Sequence, residues 1–169
     1  EFCRKSYAAI ASYFFFLQEF DKGLDAWKKA YGDLESAEKY ESLSYMYFLK
    51  NDLDTCIENY RKIVSLQPDS GAYWMGFGHI LLLTVPRDEW QGERIEEAKR
   101  CFQKAIQCNE PSGHCALGLI FYYQGFREEA RPHLQFVRDA GVTELSCNKK
   151  GGSVGLDLNT VFREKANVK

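Results

Sequence analysis

The side chains that could do chemistry in this chain are three histidines, six cysteines and two groups of glutamates. His79, His114 and His133 stand far apart in the sequence and lack the short ligand spacings of a metal motif. The cysteines, at 3, 56, 101, 108, 115 and 147, form no C-x-x-C pair. Cys101 and Cys108 lie two turns apart on one predicted helix, roughly 10 Å by helix rise, which is too far for a disulfide. The cysteines therefore read as small buried hydrophobes in a reducing, cytoplasmic setting. No serine or cysteine has a nucleophile-elbow or Cys-His context. Lys149-Lys150-Gly151-Gly152-Ser153 lacks the spacing of a phosphate loop. Glu35, Glu38 and Glu41, like Glu93, Glu96 and Glu97, neighbour lysines and arginines on predicted helices. Solvated faces and helix N-terminal charge account for them. The expectation is a protein with no catalytic residue, no cofactor and no metal: not an enzyme.

The composition points the same way. The 169 residues are 45% hydrophobic and 27% charged, as in a folded domain, with a net charge of −2. That balance carries no electrostatic footprint for nucleic acid. The apolar run Ile80–Val85 is far too short for a bilayer, so no membrane partner is expected. Aromatics are abundant, with ten Tyr and twelve Phe.

What would position these side chains is a repeat. Residues 37–70, "AEKYESLSYMYFLKNDLDTCIENYRKIVSLQPDS", hold two amphipathic helical stretches. Tyr40, Leu43, Ser44 and Tyr47 keep an i, i+3, i+4, i+7 beat, and Leu53, Cys56, Ile57, Tyr60 and Ile63 continue it. Asn51-Asp52 makes the turn and caps the second stretch, and Pro68 follows its end. The pattern recurs in Trp74, Phe77, Gly78 and Leu81, then Ala98, Phe102 and Ala105. From Ser44 to Cys56 is 12 residues, and from Gly78 to Ala98 is 20, so this copy carries an insertion of 8 near 84–93. Tyr7, Ile10, Ala11 and Phe14 with Phe20, Gly23, Trp27 and Ala30 form an earlier copy. Leu117, Gly118 and Phe121 with Ala130, Leu134 and Val137 form a later one. Ser44, Gly78 and Gly118 fall where the helices of a pair cross, opposite Cys56, Ala98, Ala130 and Gly23, and small residues let the axes approach.

A large aromatic, a small crossing residue, then Ala, Tyr or Phe, Ala and Pro in a 34-residue period resembles the tetratricopeptide repeat family. The resemblance implies an all-α, right-handed α-solenoid of about four helix-turn-helix repeats. The repeats span about 4–36, 37–70, 71–110 and 111–141, followed by a linker and C-terminal tail or capping helix over 142–169. Departures from the pattern are Gly23, His114 in place of a large aromatic, and Pro132 inside a predicted helix.

The resemblance also implies a concave face built from the first helix of each repeat. Its candidate groove residues are Phe15, Phe16, Glu41, Tyr45, Phe48, Leu49, Met75, His79, Leu82, Leu83, Leu119, Tyr122 and Tyr123. Gly76 would thin the floor. This face is apolar and aromatic, which implies a protein or peptide partner with apolar residues, anchored by Tyr45, Tyr122 and Tyr123. The competing reading is that these residues only pack against neighbouring second helices. Members that grip a chaperone's C-terminal carboxylate use Lys, Arg and Asn on this face; only Lys5 qualifies here. The expected role is a scaffold module in a larger assembly. A weaker resemblance, to type III secretion chaperones of translocator proteins, offers the alternative of a chaperone for a hydrophobic segment. The insertion and the six cysteines weigh against it. A homodimer is also compatible with the sequence. In the tail, Lys149–Ser153 reads as a flexible linker. Val154, Leu156, Leu158, Val161 and Phe162 suit either a capping helix over Leu158–Lys165 or a segment that occupies the groove.

Overall fold

The computed structural model describes residues 2–149 and 152–163. The chain divides into two compact units, Glu1–Glu110 and Pro111–Lys169.

The first unit is three helix pairs. They are α1 (Phe2–Phe16) with α2 (Phe20–Tyr31), α3 (Ala37–Leu49) with α4 (Leu53–Leu66), and α5 (Gly71–Leu83) with α6 (Glu93–Gln107). Each pair packs along its length, and α4 also packs on α5. Local chemistry sets the helix starts. Ser36 caps α3 by accepting from Lys39 N at 3.2 Å, and Asp52 caps α4 by accepting from Thr55 N at 3.2 Å. The turns reuse one device: Gln18 and Asn51, between the helices of the first two pairs, both adopt left-handed backbone with φ of 62° and 61°. The third pair replaces that turn by the expected insertion, which contains a 3₁₀ turn at Arg87–Glu89 and the buried Trp90. Ion pairs tie α4 to α6: Arg61–Glu97 at 2.9 Å and Arg94–Asp54 at 2.8 Å.

Small residues do sit at the helix crossings. A Cβ on Gly78 would come within 2.5 Å of the Phe102 ring, so the missing side chain makes room for that ring. Gly23 makes the same room for Phe15. Ser44 faces Cys56, whose thiol donates to the Ser44 carbonyl at 3.2 Å.

The second unit contains α7 (Ser112–Tyr123) and α8 (Arg127–Asp139), joined through Gly125 at φ 85°. A Cβ on Gly118 would meet Leu134 at 2.6 Å, so the crossing repeats here. Pro132 lies inside α8, which continues through it with one intrahelical hydrogen bond fewer.

Beyond α8 the structure departs from an all-helical tail. Strands β1 (Glu144–Lys149) and β2 (Gly152–Asp157) form an antiparallel hairpin, with Glu144 opposite Asp157 and Lys149 opposite Gly152. Of the expected linker, Lys149 ends β1 and Gly152 and Ser153 begin β2; residues 150 and 151 lie outside the described residues. Helix α9 (Leu158–Arg163) follows at once, and Leu158 N donates to Thr143 O at 3.0 Å, closing the base of the hairpin. Of the segment 158–165, residues Leu158–Arg163 are helical, and Glu164 and Lys165 lie outside the described residues. Leu145, Leu156 and Leu158 join Leu119, Ala130, Leu134 and Val137 in one apolar core.

Candidate functional site

The first unit carries an open groove of about 720 Å³. Lys5 and Ser12 of α1 and Tyr31 at the end of α2 line one part. Glu38, Glu41, Ser42, Ser44, Tyr45 and Phe48 of α3 line the middle. Tyr60 of α4 and Gly76, His79, Ile80 and Leu83 of α5 complete it. Three apolar side chains are open to solvent at its surface: Tyr45 at 52%, Phe48 at 43% and Leu83 at 58%.

The polar groups of the groove are arranged unevenly. Glu38 pairs with Arg4 at 3.1 Å, and Glu41 accepts from the Tyr73 hydroxyl at 3.3 Å. Burial raises the Tyr73 and Tyr60 phenols above their usual range, and Glu41 adds to both, so each stays a neutral donor. Ser44 is buried at the groove floor, and its hydroxyl has no hydrogen-bond partner among the described residues. His79 leans over the Phe102 ring at 5.4 Å, and the apolar walls beside it press its pKa below the usual histidine value. It therefore presents a neutral imidazole at pH 7.

Of the thirteen groove residues expected from sequence, Glu41, Tyr45, Phe48, His79 and Leu83 line this groove together. Phe15 and Met75 do not. Both are buried: Phe15 fills the space left by Gly23 in the α1–α2 crossing, and Met75 points into the core. Leu49 packs on the same core as Phe15. Phe16 is 72% exposed but stands outside the groove, as does the half-buried Leu82. Leu119, Tyr122 and Tyr123 belong to the second unit. There Leu119 is buried, and the two tyrosines pack against the core that the hairpin and α9 complete. Tyr122 also lines a small cleft beside Arg127 in that unit.

Sequence reasoning missed Tyr31 and Tyr60 because it admitted only first helices. The signal for Tyr60 was Gly76: a Cβ there would lie 2.8 Å from the Tyr60 ring. Gly76 thus seats a second-helix tyrosine in the groove wall rather than thinning an empty floor.

A second cluster escaped the sequence altogether. His114 of α7 and His133 of α8 meet with their Nδ1 atoms 2.9 Å apart. Phe136 stacks on His114 with ring centroids 4.2 Å apart, and Phe121 stacks on His133 at 5.9 Å. Among the described residues, no group of three or more His, Cys, Asp or Glu side chains could hold a metal ion. Nor is any described helix long and apolar enough to cross a membrane.

These helix pairs with small crossing residues define a helical-repeat protein of solenoid class. Residues 37–70 match the family model described as tetratricopeptide repeat, so that helix pair is a tetratricopeptide repeat and the pairs around it repeat its architecture. Two solved structures share the fold. A crystal structure of MamA superimposes with a TM-score of 0.63 at 15% identity, covering 80% of this chain and 77% of that one. A second, of MamA protein, gives 0.61 at 16% identity over 80% and 72%. No curated protein matches the chain.

Proposed function

We propose that the chain is a non-catalytic interaction module whose first unit holds an apolar or aromatic peptide segment of a partner protein. The observation that carries this reading is the exposure of Tyr45, Phe48 and Leu83 around one groove. About half of each side chain is already covered, so covering the rest is worth roughly 1 kcal/mol each. The groove rim supplies hydroxyls from Ser12, Ser42 and Tyr31, and the Ser44 hydroxyl on the floor supplies a further polar contact. A bound segment would use these for its main chain while its apolar side chains cover the aromatics. The role that follows is scaffolding, in which one chain presents a partner within a larger assembly.

Panning a random peptide library against the full chain tests this. The expected outcome is enrichment of peptides rich in aliphatic and aromatic residues. Their binding should fall at least about tenfold in a Tyr45→Ser, Phe48→Ser, Leu83→Ser variant with an unchanged melting temperature. Failure to enrich any such peptide, or equal binding by the triple variant, would sink the groove reading.

A further inference from the structure

The second unit carries a different surface, along the edge of α8 that faces α9. Arg127, Arg131 and Arg138 fall within about 40° of one another around that helix and span ~16 Å along it. Each guanidinium lies against an aromatic ring. Arg127 stands 3.8 Å from the Tyr122 ring centre. Arg131 and Arg138 flank Phe162 of α9, at 5.7 and 4.2 Å. Stacking uses the face of a guanidinium and leaves its in-plane N–H donors directed outward. Arg138 spends one of them on Gln135 Oε1 at 2.8 Å. Arg127 and Arg131 form no ion pair with a carboxylate among the described residues. Between these two and α9 lies a cleft of about 90 Å³, with Leu134 and Val161 in its apolar lining.

We infer that this cleft is a docking site for an acidic segment of a partner protein, in which two carboxylate side chains straddle one short aliphatic side chain. Charge complementarity sets the carboxylates. Two aligned guanidiniums with free donors match two carboxylates, and a single C-terminal carboxylate would serve only one. The cleft sets the anchor. Its volume is below the ~150 Å³ that accepts benzene, so it takes one small aliphatic side chain and excludes a nucleobase. The site shares no residue with the groove of the first unit and does not depend on the function proposed for it.

The test uses the full chain and two capped peptides, acetyl-Gly-Glu-Val-Glu-Gly-amide and its Gln-Val-Gln counterpart, titrated at low ionic strength and followed by NMR. The acidic peptide should shift signals of α8 and α9 and bind at least about tenfold more tightly than the amide version. Added salt should weaken it. An Arg127→Gln, Arg131→Gln variant should lose at least about tenfold in affinity; both side chains are exposed, and an unchanged melting curve verifies the fold. The Tyr45, Phe48, Leu83 triple variant should bind the acidic peptide as the parent does. Equal binding of the two peptides, or undiminished binding by the arginine variant, overturns the inference. So does inorganic phosphate or an oligouridine binding as tightly as the acidic peptide.

Discussion

His114 and His133 point their Nδ1 atoms at one another across the α7–α8 pair, 2.9 Å apart. Their ring centres are 5.0 Å apart, so most of the difference is taken up by the two rings and the nitrogens meet nearly head-on. One proton on that axis makes a hydrogen bond, and two would repel. Burial lowers both pKa values below 6.5, and His114 lowers that of His133 further. The unfolded chain therefore takes up protons first as pH falls. Stability from this pair is complete above about pH 6.5 and declines as pH drops towards the folded-state pKa values. Urea unfolding between pH 5 and 8 should show this slope, and a His114→Phe, His133→Leu variant should flatten it. The remaining slope belongs in part to His79, whose pKa is also lowered. An unchanged slope in the variant would refute the coupling.

Gly78 and Phe102 form a lock-and-ring contact, because a Cβ on Gly78 would fall 2.5 Å from the ring. Gly78→Ala should destabilise the first unit by about 1–3 kcal/mol through overpacking, reduced by roughly 1 kcal/mol of helix propensity. In a Phe102→Leu background the overpacking should vanish and the propensity gain should remain. A double-mutant cycle by thermal unfolding measures the coupling, and strict additivity would contradict the packing account.

Gly125 joins α7 to α8 at φ 85°, with open space where a Cβ would go. Gly125→Ala therefore tests backbone conformation without steric crowding. It should cost about 1–2 kcal/mol. Gly125→Asn should cost less, since asparagine tolerates the left-handed region as Asn51 already does. Equal losses for the two variants would count against this explanation.

Cys56 and Cys101 are buried, and burial pushes their thiols up to about 11 and about 12. Thiolate, not thiol, reacts with alkylating reagents. Mass-spectrometric mapping after iodoacetamide treatment at pH 8 should find Cys3 modified in the native protein. Cys56 and Cys101 should remain unmodified until denaturant is added. Modification of either at the rate of Cys3 would mean that the first unit opens readily.

The fold was legible where side-chain period and turn chemistry agreed. Tyr40, Ser44, Cys56 and Tyr60 follow the helical beat, and Asp52 caps the helix that the turn predicts. The hairpin is not legible because the glycine- and lysine-rich stretch Lys149–Ser153 reads as a flexible linker, whereas a short glycine-containing stretch between apolar segments is equally a hairpin signal. Leu145 and Leu156, cross-strand partners by register, are both buried and give the hairpin its apolar face. The groove was half legible. Family positions on a first helix locate Tyr45 and Phe48 well, but a helix buries a face wide enough to take Phe15 and Met75 as well. The histidine pair needed tertiary structure. His114 stood out as a substitute for an aromatic, and only the crossing of α7 and α8 brings His133 to it.

The helices of the first unit pack chiefly on their immediate neighbours in sequence, α1 on α2, α3 on α4, α5 on α6 and α4 on α5. Little loop entropy must then be lost before a contact is gained. Such local topology places folding of this unit in the microsecond-to-millisecond class, set by short-range encounters rather than by a search for distant partners.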